Sequence, residues 1–437
     1  LARREIAIVG GGPKAAAIAA KAFCLRETRT ADIAVTVFEK AQAGANWTGG
    51  HGYTNGDQRL CTPAERDMGF PYDPGTFGQP VTDMMLGRFS WNAHLLRQAP
   101  EALAEWVNQG GPPPLHRQFA AYVAEVLAQA LPPQGLVHGE VTALERAQGW
   151  WWVQSASGGA RAWRGGFDAV VITGPGPAND IFPGLSSPRL FNGDSFWRSL
   201  PAVRTLLAAA PGDDGEVVIA GGGGTAAAAA AWLAQQDLQG RSIMMVANQA
   251  ALYTRTNTYF ENALFNDANA WAALSPDAQR DFTNRLTRGV VWEAVASTLA
   301  QCEALELIPG RAVRAALTPP PPPASLPASA PAPPPALTVQ IAPSNPKMPA
   351  FALEADVLID ATGFDRWWFL GLLPAAIEQT LAARKDQLER RLRPDLSLRA
   401  KAAPRLHVPG ISQNVGPGFT SLMVLGDMAD RILEPYA

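Results

Sequence analysis

The chain is poor in the residues that build disulfide frameworks and metal centres. Three cysteines occur in 437 residues, Cys24, Cys61 and Cys302, and none forms a C-x-x-C. Three thiols cannot all pair, so neither a disulfide framework nor a cysteine zinc site is supported. Five histidines, His51, His94, His116, His138 and His407, lie without ligand spacing, and no metal site is expected. Charge is scarce as well. Only 17% of residues are charged, and 36 basic against 39 acidic side chains leave a formal net charge of −3. That balance gives no footprint for nucleic acid or an anionic membrane. No cleavable signal is read ahead of the first strand, and a cytoplasmic protein is expected. The one long uncharged run, Val217 to Ala234, contains four consecutive glycines, so it reads as strand, turn and helix rather than a membrane span.

What is present points to a globular chain of two or three domains, at roughly 150 residues per domain. Glu5–Val9 is an apolar run, followed by Gly10-Gly11-Gly12, an alanine-rich stretch from Lys14 to Arg26, and a β-branched run from Ile33 to Phe38 that stops at Glu39. That order is β-α-β and implies a parallel sheet. A polar, glycine-rich stretch follows from Gly44 to Gly78, and long ordered loops are usually functional. Helical patterns resume at Trp91–Val107 and Gln118–Leu131. Gly135–Leu144, Trp150–Ser155 and Asp168–Thr173 read as an inserted antiparallel piece that returns to the sheet. The low-complexity stretch from Thr318 to Ala336 is nearly all Pro, Ala and Ser. It is expected to be an enlarged hairpin tip between Arg311–Leu317 and Leu337–Ile341, extended or disordered.

Two glycine turns carry the chemistry. Gly10, Gly12 and Ala15 fit G-x-G-x-x-[GA] between a strand and a helix. Gly10 permits the tight turn, Gly12 lets a pyrophosphate approach the backbone, and Ala15 allows close packing. Pro13 suits a first helical turn, where its missing N–H costs nothing. Glu39 stands where an acid should accept a ribose hydroxyl. Gly221, Gly223 and Ala226 repeat the pattern after Val217–Ala220, but the next strand ends at Ala247-Asn248 without an acid. A carboxylate there would repel a 2′-phosphate, so its absence points to NADPH, with Arg255 a few residues on as the phosphate partner or simply a surface arginine. Two such sites in one chain imply a flavin and a nicotinamide exchanging hydride. Reductases of this plan need a redox cysteine pair, which is lacking, and flavin monooxygenases remain. The F-x-G-x-x-x-H motif of Baeyer–Villiger enzymes has Trp197 in place of its histidine in Phe191–Trp197.

The sequence resembles the N-hydroxylating flavin monooxygenases, especially the lysine ε-amine hydroxylases of mycobactin- and nocobactin-type siderophore biosynthesis. The resemblance rests on Val9–Ala15, Gly44–Trp47, Arg66–Tyr72, Ile172–Gly176, the second glycine turn, Phe260–Phe265 and Gly416–Phe419. It covers nearly the whole chain apart from the proline-rich insertion. It implies an α/β fold with two Rossmann-like dinucleotide-binding domains, parallel sheets and the antiparallel insertion. The FAD domain would comprise residues 1–200 and 341–437, with an NADPH domain, 201–340, carrying the proline-rich loop 318–336. The implied chemistry is oxygenation of a side-chain amine, lysine's or a related amino acid's, by a C4a-hydroperoxide of FAD formed with dioxygen after reduction by NADPH.

No catalytic side chain is then expected, because the cofactors carry the reaction. FAD would be held by Gly10, Gly12, Pro13, Lys14, Glu39 and Lys40, and flanked by Trp47 and Gln58. Further contacts would come from Val141, Thr173 and Gly174, with Thr420 and Leu422 at the flavin pyrimidine edge. NADPH would be held by Gly221, Gly223, Gly224, Thr225 and Arg255, with Thr362 and Gly363 closing the cleft. Arg66 and Asn262 would meet the substrate's amino-acid head group, and a second asparagine of the ornithine enzymes is replaced near Thr287-Arg288. For Arg66 the alternative is a structural ion pair with Asp67 or Glu65; for Trp47 it is a buried aromatic. Rival functions are oxidation of another soft nucleophile, such as a sulfide or an aromatic amine, and a nucleotide-binding pseudo-enzyme. Beyond dioxygen and the amine, the partner expected is a second copy of the chain, and recognition of the proline-rich stretch by an SH3-like domain stays open.

Overall fold

In the computed structural model the described residues are 2–209, 215–249, 251–255, 258–287, 290–317, 335–398 and 405–437. Five parallel strands form the first sheet, in the order Arg405–His407, Ala169–Ile172, Arg4–Val9, Ile33–Glu39 and Leu136–His138. Alternation along the central strand divides two cores, because successive side chains leave opposite faces. Ile6 and Ile8 pack under the helices Pro13–Glu27, His116–Ala130 and Leu425–Leu433. Ala7 and Val9 face Trp151, Val153 and Phe167 of an antiparallel sheet on the other side. The helix Pro13–Glu27 is buried nearly all round. Its alanines add little width, so it fits between the sheet and two neighbouring helices.

The antiparallel insertion is present, with different strands from those expected. It consists of Glu140–Ala147, Trp150–Ser157 and Ala160–Phe167. Leu136–His138 and Ala169–Ile172 are parallel strands of the main sheet instead. Ala160–Phe167 escaped notice because most of it is exposed and carries arginine and glycine in place of an apolar alternation. The helical stretch around Trp91 breaks into Trp91–Gln98 and Ala102–Asn108. Pro100 between them disfavours continuation, since it has no N–H and constrains Ala99.

The second sheet has the order Leu337–Pro343, Leu305–Leu317, Ile243–Ala247, Glu216–Ala220, Phe351–Asp360 and Leu190–Asn192. This corrects the division at 200 and 340. Phe351–Asp360 runs parallel to Glu216–Ala220, with Leu358 opposite Val218, and Leu190–Asn192 pairs on its other edge. The hydrogen-bond ladder therefore carries the second domain from about residue 190 to 360. Leu317 stands opposite Leu337 in an antiparallel pair, as a hairpin requires; the stretch expected at its tip falls largely on 318–334, outside the described residues. The uncharged run divides into the strand Glu216–Ala220 and the helix Gly224–Leu233. Among the described residues no helix is long and apolar enough to cross a membrane.

Helices Tyr259–Asn266, Ala268–Ala273 and Pro276–Thr287 leave the second domain and reach the first. Phe265 and Phe282 pack against the first domain's core, beside Phe419 and Met423. Asn262 lies on the first of these helices, one turn before Phe265.

Candidate nucleotide and substrate sites

The two glycine turns share one backbone geometry. Gly10 has φ +98° and Gly221 φ +127°. Gly12 and Gly223 cap their helices at φ −90°, ψ −170° and φ −97°, ψ −169°. A Cβ on Gly10 would meet Thr173 Oγ1 at 2.8 Å, whereas one on Gly12 would meet nothing within 4 Å. Gly12 therefore lines open space at a helix N-terminus, which suits a pyrophosphate. Thr173 ties the turn by donating to the Val9 carbonyl at 2.8 Å. Gly174 opens onto free space as well.

Glu39 accepts from the amides of Gly11 at 2.7 Å and Ala41 at 2.8 Å, one on each oxygen. Each oxygen keeps a lone pair for a ribose hydroxyl. In the second turn Gly222 approaches Ala247 as Gly11 approaches Glu39. Alanine thus takes the acid's place, as a 2′-phosphate requires. Lys40 is exposed just past the end of the strand Ile33–Glu39, and Val141 is a buried residue of the antiparallel sheet, on the strand Glu140–Ala147. Lys14 is buried, and its ammonium donates to the Phe419 carbonyl at 2.9 Å. Thr420 and Leu422 follow directly, half-buried.

Trp47 is half-buried, with its ring edge-on to Tyr53, His116 and Phe119. Burial pushes the His116 imidazole down to about 4. Gln58 donates from its amide to the Ala228 carbonyl at 3.1 Å, and Gly52 donates to Asp194 at 3.0 Å. Tyr53 meets Phe364 with ring centroids 4.6 Å apart. The loop after Trp47 thus joins the two domains. The resemblance implies only that Trp47 and Gln58 flank the flavin, and does not show this joining of the domains.

A cavity of about 780 Å³ opens over the second turn, lined by Gly221, Gly222, Asn248, Tyr253, Arg311 and Thr362 among others. Thr362 is set by Asp360, to which it donates through N at 3.1 Å and Oγ1 at 2.6 Å. Gly363 has φ +99°. Thr225 packs its methyl toward Gly193, and Gly223 and Gly224 start the helix. Arg255 does not line this cavity. It donates through Nη2 to Asn262 Oδ1 at 2.8 Å, lies 3.8 Å from Glu261, and stacks over Phe265. Arg311, which sequence reasoning passed over, is the arginine at the cavity. The available signal was its position just past Pro309, which pairs with Ala247 at the carboxyl edge of the parallel strands.

Arg66 donates to the Met423 carbonyl at 2.9 Å and stacks on Phe70. Among the described residues no carboxylate pairs with it. Asp67, the expected local partner, is taken up by Tyr72 and the amides of Gly69 and Trp91. Burial, then the nearby Arg255 guanidinium, push Arg66 down to about 10. Arg66, Arg255 and Asn262 therefore share one cationic corner of the cleft. Cys61 borders it, its thiol raised by burial and lowered in part by Arg255. Arg288 and the side chain of Thr287 lie outside the described positions. Among the described residues no cluster could hold a metal ion.

Two dinucleotide turns of one backbone geometry in one chain, with three free cysteines and no redox pair, fit a flavin- and nicotinamide-dependent monooxygenase. A family model described as FAD-NAD(P)-binding matches residues 7–174. The L-lysine N6-monooxygenase MbtG of Mycobacterium sp. (strain MCS) is 33% identical over 98% of this chain and 94% of its own. Its counterpart in Mycobacterium tuberculosis (strain ATCC 25618 / H37Rv) is 31% identical with the same coverage. The solved lysine monooxygenase NbtG from Nocardia farcinica superposes with a TM-score of 0.77 at 27% identity, covering 98% of each chain. The ornithine N-hydroxylase KtzI of Kutzneria sp. 744 shares the fold, with a TM-score of 0.73, 18% identity and 100% and 99% coverage. The chain belongs to the flavin-dependent N-hydroxylating monooxygenases, in the L-lysine N6-monooxygenase family.

Proposed function

We propose that the enzyme hydroxylates the side-chain amine of free L-lysine, in the cytoplasm, as a step of siderophore biosynthesis. The observation that carries the substrate is Arg66. Its guanidinium has no carboxylate partner among the described residues, is half-buried, and lies beside a second cation, Arg255. Such a corner attracts an anion, and a free amino acid offers its α-carboxylate for a bidentate pair. Asn262 stands next to it for the α-amino end of the head group. The long relatives named as L-lysine N6-monooxygenases support the same reading.

Bound FAD, once reduced by NADPH, supplies the activated oxygen. The chain's residues hold and orient. Gly12 and the first helix N-terminus take the FAD pyrophosphate, and Glu39 takes its ribose. Gly223, Gly224 and Thr225 take the NADPH pyrophosphate, and Arg311, with Asn248 and Tyr253 beside it, receives the 2′-phosphate. Anchoring the carboxylate at Arg66 fixes how far the amine reaches, which converts binding into orientation. Trp47, Tyr53 and Phe364 form an aromatic wall that keeps water from the reacting end.

The test compares L-lysine with 1,5-diaminopentane, its decarboxylated counterpart, measuring hydroxylamine formed per NADPH consumed. The reading expects strong coupling with lysine and little with the diamine, and Arg66→Ala abolishing the difference. Equal coupling with both amines, or NADPH consumed only to hydrogen peroxide, would overturn it.

A further inference from the structure

Lys14 is the second residue of the helix Pro13–Glu27, only 8% exposed, and its ammonium donates to the Phe419 carbonyl at 2.9 Å. Among the described residues no carboxylate pairs with it. The contrast stands on the same helix, where Lys21 is equally buried but lies 2.6 Å from Asp430. Burial alone pushes the Lys14 ammonium down to about 7. The helix N-terminus adds a partial positive charge of the same sign. A buried cation so placed is costly until an anion reaches it.

FAD offers two anionic groups, the pyrophosphate and the ring after reduction. The pyrophosphate is already served by the open face of Gly12 and the first helical amides. Lys14 reaches instead to the carbonyl directly before Thr420, the start of the segment assigned to the flavin pyrimidine edge. NADPH delivers two electrons and one proton together and leaves as NADP⁺. The ring that receives them gains one negative charge, spread over N1 and the C2 carbonyl. The Phe419 carbonyl occupies one ammonium proton and leaves two for that edge.

We propose that Lys14 is the fixed cation that meets the pyrimidine edge of reduced FAD and sets its redox poise. The inference rests on the FAD-site reading given above. A charge at contact distance stabilises the anionic reduced ring more than the neutral oxidised one. It therefore raises the midpoint potential and lowers the pKa of the reduced ring.

The experiment uses the full FAD-loaded protein with Lys14→Met and Lys14→Arg. It reads the midpoint potential against a redox dye under anaerobiosis, the pKa of the reduced flavin from its spectrum, and the FAD Kd. Lys14→Met should lower the potential and raise the reduced-flavin pKa by about 1–3 units. FAD binding should weaken by less than about tenfold, and Lys14→Arg should recover most of both shifts. The FAD-free Lys14→Met protein should melt at or above the parent, because an uncompensated buried charge is gone. A weakening of FAD binding by about tenfold or more with an unchanged potential would assign the cation to the pyrophosphate and overturn the proposal. An unmoved potential and pKa would overturn it too. Gly12→Ala separates the two layers: unchanged FAD affinity there would sink the site reading itself.

Discussion

Arg255 donates to Oδ1 of Asn262 at 2.8 Å, a bond that holds the arginine beside Asn262. It sits near Arg66, while the cavity over the second glycine turn has Arg311 on its wall. The two arginines should therefore separate in steady-state kinetics. Arg255→Ala should raise the KM for lysine about tenfold or more and leave the preference for NADPH over NADH intact. Arg311→Ala should erode that preference by a similar factor and leave the lysine KM unchanged.

The two kinds of glycine in the turns should fail differently. Gly221→Ala places a Cβ 2.5 Å from the Ala361 carbonyl at φ +127°, so it should lower the melting temperature as well as weaken NADPH binding. Gly12→Ala meets no protein atom within 4 Å at extended φ. Its melting temperature should stay near the parent's without cofactor, while FAD affinity falls. Thermal melts with and without each nucleotide distinguish the cases.

Asp356 holds two buried guanidiniums, Arg189 Nη1 on Oδ1 and Arg241 Nε on Oδ2, each at 2.8 Å. Asp356→Ala leaves both charges in the second domain's interior. The expected loss is about 3–5 kcal/mol, read by denaturant unfolding. Replacing a single exposed pair, such as Arg3 with Glu5, should change stability by under about 1 kcal/mol.

His407 is fully buried, with Nδ1 at 2.7 Å from the Asp395 carbonyl and Nε2 at 2.7 Å from the Tyr436 hydroxyl. Burial pushes it down to about 4, against an ordinary value of 6.5. Between those values the unfolded chain binds a proton that the folded one refuses. Its contribution is therefore complete above about pH 6.5 and is lost toward pH 4, at about 1.4 kcal/mol per pH unit. His407→Asn should flatten the acid side of the stability profile, measured as melting temperature from pH 7 to pH 4.

Local chemistry was legible where one short segment does the whole job. The turns at Gly10 and Gly221 could be read because positive φ, a helix start and a preceding strand all fall within a few residues. Glu39 and Ala247 followed from the same unit. The apolar run Glu5–Val9 was legible as a strand, and the alanine run behind it as a helix. The same local view drew the domain limits at 200 and 340, because it could not see that Phe351–Asp360 pairs with Glu216–Ala220 across more than a hundred residues.

Sequence by itself determined the two glycine turns with the strand before and the helix after each, and the shortage of cysteine that left no C-x-x-C. Tertiary structure decided where the cations stand. Arg255 lies eight residues past Ala247 in the chain, yet the helix Tyr259–Asn266 holds it beside Asn262. Arg311 arrives at the cavity over the second glycine turn from a different strand. Among the described residues Asp430 pairs with Lys21, two turns along the helix from Lys14, and no carboxylate pairs with Lys14. Periodicity and motif spacing report the backbone's local path. The pairing of charges depends on distances between segments remote in sequence, and only the folded chain sets those.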